Sequence, residues 1–111
     1  MARCSEVVAK YAQELRTLEV KILELLCEGL GLDPKYCCGG LSDSPLLPAH
    51  HYPPCPEPSL TLGDPKHRDP ILATILQEKD INALQVFKDG EWIVVEQIPY
   101  AFVVNIGLML Q

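Results

Sequence analysis

His67 and Asp69 are the residues whose types and spacing suit metal chemistry. They stand two apart in Pro65-Lys66-His67-Arg68-Asp69-Pro70. On an extended backbone both side chains project to one face, and Arg68 projects to the other. An imidazole nitrogen and a carboxylate oxygen on one face can chelate a borderline divalent metal. A second histidine would complete the 2-His-1-carboxylate facial triad of non-haem Fe(II) sites, which leaves coordination positions open. Taken alone, the same spacing also fits two surface polar residues. A competing metal reading, a small zinc module, would use Cys37, Cys38, Cys55, His50 and His51. Their spacing matches none of the usual C-x-C and H-x-H arrangements.

These residues must be positioned by the elements around them. Residues 5 to 29 have the pattern of one amphipathic helix, with Val8, Tyr11, Leu15, Leu18, Ile22, Leu25 and Gly29 at spacings of three and four. Glu14, Arg16, Glu19, Lys21, Glu24 and Glu28 take the opposite face. Ser5 is the expected N-cap, and Gly29, Gly31 and Pro34 end the helix. From Cys37 to Pro58 the chain carries six of its ten prolines. No helix or central strand runs through Tyr52-Pro53-Pro54-Cys55-Pro56. The aromatic and the cysteine inside that stretch predict an ordered, packed loop.

After Pro70 the pattern is β. Ile71–Leu76 is expected as a largely buried strand, Ala83–Phe87 as a second, Trp92–Glu96 as a third and Ala101–Ile106 as a fourth. Asp89-Gly90 predicts a tight hairpin between the second and third. Trp92 is expected to pack, and Tyr100 and Phe102 to lie in the core or at its rim. Short strands with no helices between them indicate an antiparallel sandwich or barrel.

The 9 basic and 15 acidic residues give a net charge of −6, without any basic cluster. That excludes a nucleic-acid backbone binder. An apolar share of 48% excludes a disordered chain. No apolar run is long enough for a membrane span, and the first residues lack the pattern of a secretory signal. The expectation is a cytoplasmic protein with its five cysteines as thiols.

Several segments occur together in order. They are His50-His51-Tyr52-Pro53-Pro54-Cys55-Pro56-Glu57-Pro58, Leu60-Thr61-Leu62-Gly63, Lys66-His67-Arg68-Asp69-Pro70, Leu84-Gln85-Val86, Asp89-Gly90-Glu91-Trp92 and Ala101-Phe102-Val103-Val104-Asn105-Ile106-Gly107. The combination resembles the plant 2-oxoglutarate- and Fe(II)-dependent dioxygenases of the isopenicillin N synthase-like group. The hyoscyamine 6-hydroxylase-like and flavanone 3-hydroxylase-like members are nearest in pattern. The resemblance implies an α+β fold: a long N-terminal helix followed by part of a double-stranded β-helix, or jelly roll, that is incomplete. Residues 1–44 would be a helical segment and 45–111 the N-terminal part of the jelly-roll domain. It implies that His67 and Asp69 are two of three iron ligands and that Tyr52 helps hold 2-oxoglutarate. The cofactors it implies are Fe(II), with 2-oxoglutarate and O₂ as co-substrates and ascorbate as reductant. The reaction would hydroxylate or desaturate a small plant metabolite such as a flavonoid, alkaloid or phenolic.

The chain departs from that family in ways that bear on activity. No histidine follows Asp69, so the distal histidine ligand is absent, as is the Arg-x-Ser motif that clamps 2-oxoglutarate. His50 stands where the family usually has Asn, and Asp64 where it usually has an apolar residue. The expectation is a partial chain, inactive alone. The alternative is a non-catalytic truncated fragment that acts through partner association, with self-association through unpaired strand edges.

Overall fold

The computed structural model describes residues 2–37, 46–61, 63–78 and 81–110. The chain divides into two compact units, Met1–Tyr52 and Pro53–Gln111.

The first unit is dominated by helix α1, Ala2–Gly29. It begins three residues before the expected cap. Ala2 and Arg3 are strong helix formers, so the helix extends through Ser5 instead of starting at it. The covered stripe keeps Leu15, Leu18 and Ile22 of the expected one, all half-buried, but is shifted from it at both ends. Ala12, Arg16 and Glu19 are half-buried, and Leu23 and Cys27 are fully buried, whereas Val8 and Leu25 are exposed. The apolar arc from Leu15 to Cys27 is wider than one helix face, so periodicity alone did not select the covered part. Arg16 Nη1 donates to Glu19 Oε2 at 2.9 Å on this covered side.

The helix ends in a Schellman motif. Gly31 takes a left-handed conformation (φ 71°) that its missing Cβ permits. Its N–H donates to the Glu28 carbonyl at 3.0 Å, and the Leu32 N–H to the Cys27 carbonyl at 2.9 Å. Two short bonds then turn the chain at Asp33. The Lys35 N–H donates to Asp33 Oδ1 and the Tyr36 N–H to the Asp33 carbonyl, both at 2.8 Å. Cys38, Gly39, Gly40 and Pro45 lie outside the described residues.

Residues 46–61 are exposed throughout, not packed as expected. Prolines hold the backbone extended and remove its donors, so the stretch joins no ladder. Its order is local. A short 3-10 helix spans Pro58–Leu60. The Cys55 thiol donates to Thr61 Oγ1 and the Thr61 hydroxyl to the Glu57 carbonyl, each at 3.3 Å.

Among its described residues the second unit carries four strands: β1 Ala73–Leu76, β2 Gln85–Lys88, β3 Glu91–Val94 and β4 Val103–Ile106. All four expected strands exist, shortened or shifted at their ends. β1 pairs antiparallel with β4, with Thr74 opposite Asn105 and Ile75 opposite Val104. β2 and β3 form the expected hairpin, with Phe87 opposite Trp92. Asp89 (φ 52°) and Gly90 (φ 91°) both have positive φ, as a type I′ turn requires. The described strands thus make two separate two-stranded antiparallel sheets. One long helix plus antiparallel strands is an α+β arrangement.

Two burial expectations are corrected. Both faces of the β2–β3 hairpin are exposed, because no third strand or helix of the described residues covers it. Tyr100 is fully exposed. It occupies the third position of a turn closed by the Ala101 N–H on the Ile98 carbonyl at 3.1 Å, and its positive φ of 64° is what a type II turn demands after Pro99.

Candidate metal centre

Asp69 sits on the short lead into β1, and the end of β4 grips that lead through the main chain. The Leu108 N–H donates to the Asp69 carbonyl at 2.9 Å, the Gly107 N–H to the Leu72 carbonyl at 2.9 Å and the Met109 N–H to the Ile71 carbonyl at 3.4 Å. This close approach needs a glycine at 107. A Cβ there would strike the Ile71 carbonyl and come within 3.2 Å of the Asp69 carbonyl oxygen.

The side chains are aimed as well as the backbone. Thr74 Oγ1, on β1, donates to Asp69 Oδ2 at 2.6 Å. The other carboxylate oxygen, Oδ1, faces His67 Nε2 at 3.5 Å. On the far side of the ring, His67 Nδ1 lies 2.8 Å from the Pro65 carbonyl. A carbonyl only accepts, so this partner assigns the proton to Nδ1 and leaves the Nε2 lone pair of the neutral ring pointing at Asp69. Metal-binding histidines are commonly oriented in this way by a second partner.

The electrostatics favour a cation here. The carbonyl bond from Pro65, then the Asp64 carboxylate (4.0 Å from Nδ1), then Asp69 raise the His67 pKa above its ordinary 6.5. In the metal-free chain the protonated ring therefore favours the folded state. That contribution is full below 6.5 and is lost as pH rises through the raised folded value. The neighbouring positive charge is drawn aside: Lys66 Nζ lies 3.7 Å above the Phe87 ring, and Trp92 meets that ring edge-on at 5.1 Å.

The donor set fits a divalent ion. A borderline metal takes imidazole nitrogen and carboxylate oxygen at about 2.1 Å each. The 3.5 Å between Nε2 and Oδ1 is less than twice that distance, so one ion can touch both. Among the described residues no group of three or more His, Cys, Asp or Glu stands together in a way that could hold a metal. Among the described residues the candidate centre is this pair.

Of the other residues singled out by sequence, Tyr52 closes the first unit, and its hydroxyl lies 3.3 Å from His50 Nδ1. Of the cysteines in the zinc reading, Cys55 contacts Thr61, Cys37 contacts Cys27 and Cys38 is outside the described residues. Sequence reasoning missed Thr74 and gave Gly107 no role. A glycine directly after a strand signals close backbone approach. A threonine five residues past a candidate ligand gives no comparable signal.

The chain is similar to known proteins of one family. The family model of the 2OG-Fe(II) oxygenase superfamily matches residues 44–111. Hyoscyamine 6-dioxygenase of Hyoscyamus niger is 48% identical over 112 residues, covering 99% of this chain and 32% of the relative. Protein DOWNY MILDEW RESISTANCE 6 of Arabidopsis thaliana is 45% identical, covering 96% of this chain and 32% of the relative. The 1-aminocyclopropane-1-carboxylate oxidase homolog 5 of the same plant is 43% identical, covering 99% and 28%. The chain spans about a third of the length of the curated relatives it matches.

Proposed function

The chain belongs to the 2OG-Fe(II) oxygenase superfamily, and from that premise we propose that His67 and Asp69 are its iron ligands in a dioxygenase acting on a small plant metabolite. The observation that carries the reading is the pairing of His67 Nε2 with Asp69 Oδ1 at 3.5 Å. When bound, Fe(II) would activate O₂, whose four electrons come two from 2-oxoglutarate, oxidised to succinate and CO₂, and two from the substrate, with ascorbate keeping the metal reduced. The chain's own residues prepare for this. The Pro65 carbonyl holds the Nδ1 proton away from the metal side. Thr74 fixes the Asp69 carboxylate so that one oxygen stays available. The family resemblance adds a role for Tyr52, whose exposed hydroxyl would contact 2-oxoglutarate. The similarity to hyoscyamine 6-dioxygenase supports a small organic substrate, and an alkaloid, flavonoid or phenolic that is hydroxylated or desaturated is the class proposed.

The 111 residues supply two protein ligands, and a two-ligand site has low affinity and little geometric control. The chain alone, given Fe(II), ascorbate and 2-oxoglutarate, is expected to release no succinate above the protein-free rate. Exchanged for the matching third of the Hyoscyamus niger relative, it is expected to give iron-dependent succinate release that disappears in the His67→Ala form. Sustained turnover by the chain alone would overturn its inactivity. A folded chimera without turnover would overturn the assignment of the pair.

A second reading is non-catalytic association, favoured by one observation: Val86, Phe87, Trp92, Ile93 and Val94 are all exposed on a two-stranded sheet. Two strands alone are marginal in water, and open edges recruit further strands. Light scattering on the chromatographed chain is expected to give a mass above that of one chain. A compact monomer that unfolds cooperatively would count against this reading.

A further inference from the structure

We propose that Cys27 and Cys37 form a dithiol modification site that closes to a disulfide by exchange with a low-molecular-weight disulfide. Both residues are buried, at 0% and 2% exposure, and their Sγ atoms lie 2.7 Å apart. Both are free thiols, and their separation is longer than the covalent bond of about 2.05 Å but shorter than an ordinary non-bonded contact of two sulfurs, so the backbone holds them at bonding approach.

The approach is built by the backbone on both sides. Cys27 is the residue whose carbonyl accepts the Leu32 N–H in the Schellman motif that ends α1, so its place in the last turn is fixed. Gly31 then reverses the chain, and the two bonds at Asp33 turn it again. Together they bring Cys37 back over the helix end after ten residues. Neither cysteine takes part in the metal centre, which lies in the other unit.

The exchange balances without any metal. One protein thiolate attacks the small disulfide RS–SR, forming a mixed disulfide and expelling one RS⁻. The second protein thiolate attacks the protein-side sulfur of that mixed disulfide and expels the other RS⁻. The sum is RS–SR plus two Cys–SH giving Cys–S–S–Cys plus two RSH. The two electrons pass from the protein to the small disulfide. Because both sulfurs are buried, the first attack requires local opening of the turn. The irregular segment after Gly31 opens more readily than the helix.

The bond would tie the end of α1 to the turn that follows it and reduce the freedom of the unfolded chain across a short loop. The test equilibrates the full chain with oxidised glutathione, quenches with acid, alkylates under denaturing conditions and maps the tryptic peptides. A link between the peptides 22–35 and 36–66, assigned to Cys27 and Cys37 by fragmentation, is expected. The helical melting midpoint should rise by about 5 to 10 °C. Dithiothreitol should reverse the rise, and neither Cys27→Ser nor Cys37→Ser should show it. Three results would overturn the proposal: Cys27 and Cys37 both alkylated after oxidation, a link from Cys27 to Cys38 or Cys55, or a rise that persists in Cys27→Ser.

Discussion

Asp69→Ala and His67→Ala are each expected to lower the affinity of the chain for Co(II) by about a hundredfold or more. Removing even an outer-shell partner of a metal ligand commonly costs 10- to 100-fold, and the ligands themselves cost more. Co(II) suits the measurement because it binds nitrogen and oxygen donors more tightly than Fe(II) does. Either substitution leaves one protein ligand in water. Asp69→Asn separates charge from shape. It keeps a group that can accept from Thr74 but loses the negative charge, and it is expected to bind as weakly as the alanine form.

Thr74→Val provides the graded arm of the same experiment. It removes the hydroxyl that holds Asp69 Oδ2 at 2.6 Å and keeps the volume, so about a tenfold loss is expected. Acidification gives an independent check on His67. The metal needs the Nε2 lone pair, and protonation competes for it. With the His67 pKa raised by the Pro65 carbonyl and Asp64, Co(II) affinity falls as pH drops through a value above 6.5. Calorimetric titration reads all of these. Native affinity in His67→Ala, or binding indifferent to pH, would remove the pair from the site.

How much of this was legible in sequence depends on the kind of signal. His67 and Asp69 could be read because a spacing of two fixes their shared face on any extended backbone. The Asp89-Gly90 hairpin could be read because both positions need positive φ. The covered stripe of α1 could not, because apolar residues from Leu15 to Cys27 occupy more than one face and only tertiary packing selects Leu23 over Leu25. The contact of Thr74 with Asp69 could not be read either. It depends on a bend at Pro70 and Ile71 that no periodicity encodes. The Cys27–Cys37 approach lies between these cases: Gly31 and Pro34 announce a turn, but its closing distance depends on which carbonyls the turn satisfies.

Gly107→Ala is expected to unfold the strand unit or come close to it, and the reason again lies at the bend. The φ of Gly107 needs no glycine, so the requirement is space alone. An alanine Cβ would fall on the Ile71 carbonyl, with the carbonyl carbon at 2.6 Å. These are backbone atoms, which cannot rotate away as a side chain can. Relief requires β4 to part from the lead into β1, which breaks the Gly107–Leu72 and Leu108–Asp69 bonds together. Overpacking and lost buried hydrogen bonds then add to about 3 kcal/mol or more, a large share of what a small domain has. The melting midpoint should fall by more than about 10 °C. Gly63→Ala is the control: its Cβ would meet nothing within 4 Å, and its expected effect is within about 0.5 kcal/mol. The same bonds carry the Asp69 main chain, so any folded Gly107→Ala protein should also lose Co(II) affinity. A variant that melts like the native chain would show that β4 does not grip the Asp69 segment as closely as the structure has it.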